Sequence, residues 1–176
     1  MISQQPIFDA HLDLAYLAEL GRDLGIPLDE LDQQADPHPP AAVTLPDLAA
    51  GRVTRVLGTI FTEASTNPEG KYAAVSYPPG DANAAYFKGI NQLNRYHAWA
   101  RDGLIRFFDD DSSPAAVQLG ILVECADPII NPQDLSFWAA RGVVAIGLTW
   151  VHRSRYAGGN ACDTGLTALG RELIAE

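Results

Sequence analysis

Residues 119–124 read Leu119-Gly120-Ile121-Leu122-Val123-Glu124, an apolar run closed by one carboxylate. A strand on a solvated sheet alternates apolar and polar side chains. A strand without that alternation is buried on both faces, as parallel strands are when helices pack on their sheet. Working outward, Val53–Phe61 and Val143–Thr149 have the same character, and Pro6–Asp13 alternates as a shorter strand does. Helical stretches lie between them. Leu14, Leu17 and Leu24 fall at roughly helical spacing, Leu45–Gly51 is a short amphipathic turn, and Tyr86, Ile90, Leu93 and His97 make an apolar stripe along Asp81–Asp102. Asn131-Pro132-Gln133-Asp134 supplies a cap, a proline at the first helical position and an acidic first turn to Leu135–Arg141, which Gly142 stops. A last helix runs from about Leu166 to Ala175. Leu104–Phe108 is a brief apolar run, and Asp109–Asp111 with Ser112-Ser113-Pro114 has the composition of a helix start. Gly25–Ala42, with its Pro-rich Asp36–Pro40, and Thr62–Gly80 read as loops. Strands alternating with helices predict an α/β fold of four βα units on a parallel sheet.

The chain has 176 residues, one domain's worth at about 150 per domain. With 47% hydrophobic and 19% charged residues and a mean hydropathy of −0.03, it can bury a core. Lys and Arg number 12 against 22 Asp and Glu, a formal charge of −10. That charge opposes phosphate backbones and anionic membranes, so nucleic acid is not an expected partner and a cation is. The longest apolar stretch, Gly142–Val151, is far short of the roughly 20 residues that span a bilayer. Met1–Pro6 has neither basic residues nor an apolar continuation, and the two cysteines lack zinc-finger spacing, so a cytoplasmic location is expected.

Two features carry chemistry. His11 and Asp13 are two apart on a strand, so they face the same way at its C-terminal end. An imidazole and a carboxylate together suit zinc, manganese, cobalt or iron. Glu124 ends a second strand at the end where parallel α/β folds bind ligands, and its two oxygens can bridge two cations. His152 follows the fourth strand in a loop on that face and is a candidate substrate contact. His97, on the apolar stripe, reads as a packing residue, His38 as a solvated loop residue, and Cys125 as a small buried side chain. Gly158-Gly159 lacks the pattern of a phosphate loop.

Phe8-Asp9-Ala10-His11-Leu12-Asp13-Leu14 resembles the FDGHxDL opening of the membrane dipeptidase (renal dipeptidase) family, the M19 metallopeptidases. Ala50–Val53, Ile121–Ile129, Gly142–Trp150 and Gly165–Leu173 resemble later family segments in the same order. The resemblance implies a (β/α)₈ TIM barrel of which residues 1–176 are the N-terminal half, with no separate second domain, since such a barrel takes about 250 residues. It implies a binuclear zinc centre, with His11 and Asp13 as ligands of one ion and Glu124 as the bridging, catalytic carboxylate. It also implies hydrolysis of dipeptides by a hydroxide held between the ions. Trp150 stands where some relatives have a substrate-contacting histidine, with His152 two residues on, and Cys125 replaces the glycine after the bridging glutamate. The family's two further metal-binding histidines, its proton-transfer aspartate and its substrate-binding arginine match nothing in these residues. The expectation is therefore an enzyme whose isolated 176 residues are inactive, completed by a C-terminal half or by another copy. The alternatives are a half-barrel serving binding or assembly and a mononuclear hydrolase using His11, Asp13 and Glu124 alone.

Overall fold

The computed structural model describes residues 5–35, 40–70, 72–111, 115–162 and 164–176. Four strands carry the architecture: β1 (Ile7–Leu12), β2 (Val53–Ile60), β6 (Gln118–Val123) and β7 (Val143–Ile146). They pair in that order and all in parallel. The shorter strands are β3 (Glu63–Ala64), β4 (Ser76–Tyr77) and β5 (Arg106–Phe107). β5 lies beside the first residues of β6, on the edge that β7 takes over further along, whereas β3 and β4 form a separate parallel pair. The helices are α1 (Leu14–Glu19), α2 (Leu45–Ala50), α3 (Ala82–Arg101), α4 (Leu135–Ala139, led by a 3₁₀ turn at Pro132–Asp134) and α5 (Ala168–Ala175). No closed barrel forms among the described residues.

All five helices feed one hydrophobic core against one face of the sheet. Val56, Ile60, Leu119, Ile121 and Val123 from the strands meet Leu14, Leu45, Leu93, Tyr96, Trp99, Trp138 and Leu173 from the helices. The other face is only partly covered: Phe8 and Val144 are each 55% exposed, and Val144 and Phe108 pack over the open side of Gly120. The unbroken apolar character of these strands predicts cover on both faces, but here the helices supply one side only.

Several local readings change. The Asp109–Asp111 cluster starts no helix. Arg106 Nη1 donates to Asp110 O at 3.2 Å and contacts Asp111 Oδ1 at 3.4 Å, tying the acidic stretch back to β5. Ser112–Pro114 lie outside the described residues, as do His38 and most of the Pro-rich stretch around it. The 62–80 loop contains the β3–β4 pair, and β7 ends at Ile146 rather than Thr149. α5 begins two residues later than Leu166, because Thr167 caps it by accepting from Gly170 N at 3.0 Å, while Leu166 bridges to Ala157. On α3 the buried line is Ala85, Gly89, Gln92, Leu93, Tyr96 and Trp99. It lies about one position before the stripe read from Tyr86, Ile90 and His97. A glycine and a glutamine do not register as apolar, yet a Cβ at Gly89 would stand 2.7 Å from Pro128, and Gln92 binds both the N–H and C=O of Phe61 at 3.0 and 2.6 Å. His97 is half-buried against Phe107 and pairs with Arg141 O at 3.1 Å, a packing residue as expected. Gly142 ends the α4 segment with φ +94°, a conformation glycine adopts without strain.

Asp47, in the first turn of α2, accepts from Thr44 Oγ1 and from Leu28 N, both at 2.7 Å, which anchors the 25–35 loop. The Thr44 hydroxyl and then the Leu28 N–H favour the charged carboxylate, so its pKa lies below the ordinary value. The resulting stabilisation is complete above the ordinary carboxylate range and is lost as pH falls through the lowered value. Denaturant midpoints measured from pH 7 down to pH 2 are expected to fall less steeply in Asp47→Asn than in the native protein, and parallel curves would contradict this role.

Candidate metal centre and aromatic cleft

The C-terminal ends of the four main strands converge on one cleft. β1 ends at Leu12, and Asp13 follows as the residue capping α1, yet its side chain makes no capping bond. It accepts instead from Thr59 Oγ1 at 2.5 Å, on the neighbouring strand β2. Thr59 is fully buried, and its carbonyl accepts from Tyr96 OH at 2.7 Å. The same phenol oxygen accepts from Ala15 N at 3.3 Å. Tyr96 therefore ties the end of β2 to the start of α1. It comes this close only because residue 58 lacks a side chain: a Cβ on Gly58 would lie 2.7 Å from the Tyr96 ring.

His11, Asp13 and Glu124 each present a ligand atom within 4.8 Å of the others. His11 Nε2 lies 3.5 Å from Asp13 Oδ1 and 3.6 Å from Glu124 Oε2, near enough for attraction and too far for hydrogen bonds. The Glu124 side chain is only 14% exposed, and its carboxylate accepts no hydrogen bond among the described residues. Its pKa is raised, first by burial and then by the Asp13 charge, against which His11 acts. A half-buried carboxylate without donors is costly, and a cation between these three side chains relieves that cost. One imidazole nitrogen and two carboxylates form a donor set matched to a borderline divalent ion. The residues fit a metal.

Around this trio stand aromatic side chains. Tyr16, Phe61, Tyr72 and Trp150 line a cleft of about 290 Å³ with Asp13, Glu63 and Glu124. Phe61 meets Tyr16 edge-on with ring centres 5.7 Å apart and Trp150 at 4.9 Å. Trp150 thus lies on the cleft wall. His152 is exposed and outside it, with Nε2 3.7 Å from Glu63 Oε1. The Gly158-Gly159 pair has a backbone role: a Cβ on Gly159 would meet the carbonyl oxygens of Trp150, Val151 and His152 at 2.4–2.7 Å. The chain crosses itself there and donates from Asn160 N to Trp150 O at 3.1 Å, which sets the Trp150 loop. Cys125 is buried beneath the cleft, its thiol pushed up to about 12 by burial and by Asp127, and is not a thiolate nucleophile.

Sequence reading alone misses Thr59, Tyr96, Tyr16, Phe61, Glu63 and Tyr72. Phe61 and Glu63 had a usable signal, since they follow the end of β2, and the strand-end rule that singles out Glu124 applies to them equally.

Two solved structures are similar to this chain. The probable dipeptidase PvdM from Pseudomonas aeruginosa is 18% identical with a TM-score of 0.65, over 98% of this chain and 44% of that one. The dipeptidase AC, a metallopeptidase of family M19, is also 18% identical with a TM-score of 0.65, over 98% of this chain and 53% of that one. The chain therefore spans about half the length of either. No protein-family profile matches the sequence, and no curated protein does. The likeness establishes an α/β fold of the M19 dipeptidase type, in agreement with the resemblance read from the sequence.

Proposed function

We propose, from the fold shared with M19 dipeptidases, that this chain supplies the first four βα units of a metal-dependent dipeptidase barrel. The observation that carries the reading is the convergence of His11, Asp13 and Glu124 within 4.8 Å at the C-terminal strand ends. His11 and Asp13 are the ligands from β1, and Glu124 is the carboxylate whose second oxygen is available to a neighbouring ion. Zinc is the ion proposed. Bound there, it supplies Lewis acidity toward a peptide carbonyl and lowers the pKa of water. The chain's own residues do the rest. Thr59 orients Asp13 through its hydrogen bond to Oδ1. Glu124, mostly buried and without a hydrogen-bond donor among the described residues, would hold the ion with its carboxylate. Phe61 and Trp150 shield one side of the cleft from water and give a dipeptide an apolar wall.

The test is dipeptide hydrolysis by the polypeptide as the cell makes it, followed by release of free amino acid. Turnover is expected to vanish on chelation, to return with zinc, and to fall by more than about a hundredfold in Glu124→Gln, since losing a supporting residue around a metal already costs about 10–100-fold and this change removes a charged ligand. Turnover that survives chelation would defeat the reading. A second reading, a module for binding or assembly, is favoured by the exposure of Phe8 and Val144 on the open sheet face. It predicts intact zinc binding without turnover under any of these conditions.

A further inference from the structure

Beyond the metal trio, the cleft contains a recognition element that a metal hydrolase does not need. Glu63 is held in place by β3, its N–H donating to Val75 O at 3.2 Å, and its side chain is 24% exposed. It lines the cleft with Tyr72 and Trp150, which are 41% and 38% exposed. No Lys or Arg lines the cleft among the described residues; His152 Nε2 lies 3.7 Å from Glu63 Oε1, and Arg153 lines the two adjoining crevices with them. A carboxylate that shares a cleft with aromatic side chains is an arrangement that selects a cation. Negative ring faces attract such a group and the carboxylate pairs with it.

We infer that this part of the cleft, built from Glu63, Tyr72 and Trp150, binds a protonated amine of the substrate. The inference rests on the dipeptidase reading for the word substrate, and on the cleft alone for the binding. The amine is either the free α-ammonium or a basic side chain, which share one chemistry. Asp13 and Glu124 belong to the metal trio, so Glu63 is the acid left for this role beside a bound metal, and in chelator the Glu63→Gln variant separates its part from theirs.

Tryptophan fluorescence reads the site, because Trp99 and Trp138 are buried and Trp150 is the exposed one of the three. The whole chain is titrated in chelator with n-butylammonium, with alaninamide, and with neutral 1-butanol. Saturable quenching by a cation is expected, strongest with n-butylammonium for a basic side chain or with alaninamide for an α-ammonium. The response to 1-butanol should be at least about tenfold weaker. Trp150→Phe should remove the signal. Glu63→Gln, with unchanged circular dichroism, should weaken binding about tenfold, and Tyr72→Leu, held to the same dichroism control, should weaken it less. Equal binding of 1-butanol, no quenching by either cation, or an unaffected Glu63→Gln would overturn the inference. Because chelator is present, the outcomes separate: cation binding without any zinc site discards the dipeptidase reading and keeps this one, while zinc binding without cation binding does the reverse.

Discussion

Calorimetric titration of zinc is expected to find a tight site that weakens by more than about a hundredfold in His11→Ala, beyond the loss typical of supporting residues around a metal. The imidazole supplies the only nitrogen donor of the trio. It is also the one group that acts to lower the Glu124 pKa, against burial and the Asp13 charge. Without it two carboxylates face each other with no positive partner, and Glu124 is driven further toward its neutral form, which binds metal poorly. Thr59→Val should cost less, about tenfold, since Thr59 only orients Asp13 through one 2.5 Å hydrogen bond. A His11→Ala protein that bound zinc like the native one would show that the trio is not the site.

Urea denaturation should show a loss of about 3–5 kcal/mol in Tyr96→Ala, the range for deleting a large buried aromatic ring. Tyr96 is fully buried. Its ring packs beside Trp99 with centres 5.6 Å apart and fills the space above Gly58. Tyr96→Phe keeps that packing and removes only the bonds to Thr59 O and Ala15 N. Its cost should be about 1–2 kcal/mol, that of leaving two buried backbone groups without their partner. Equal losses in the two variants would mean that the hydroxyl, rather than the ring, holds this junction.

The parallel sheet was legible because strands such as Leu119–Val123 carry no polar side chain, and His11, Asp13 and Glu124 were legible as candidates because they sit at strand ends. What the sequence concealed depends on contacts across long separations. Thr59 and Asp13 are 46 residues apart, and a threonine inside a β-branched run looks like any other strand residue. Gln92 sits on the buried seam of α3 because it replaces a missing strand partner for Phe61, a role no hydropathy pattern displays. The Asp109–Asp111 cluster misled because its composition suits a helix start, while Arg106 next to it ties the stretch back to its strand. The α5 start moved because the cap is Thr167, a residue common inside apolar stretches.

β1 and β6 are not hydrogen-bonded to each other; each pairs with β2, which lies between them. The three acidic and imidazole groups therefore cannot approach until the middle strand has docked on both sides. In folding terms β2 is the template and the centre is a late product, formed after the long-range pairings that make parallel sheets slow. A chain arrested before that step would keep its helices and still lack the site, so recovery of metal binding during refolding would time the completion of the sheet rather than the collapse of the core.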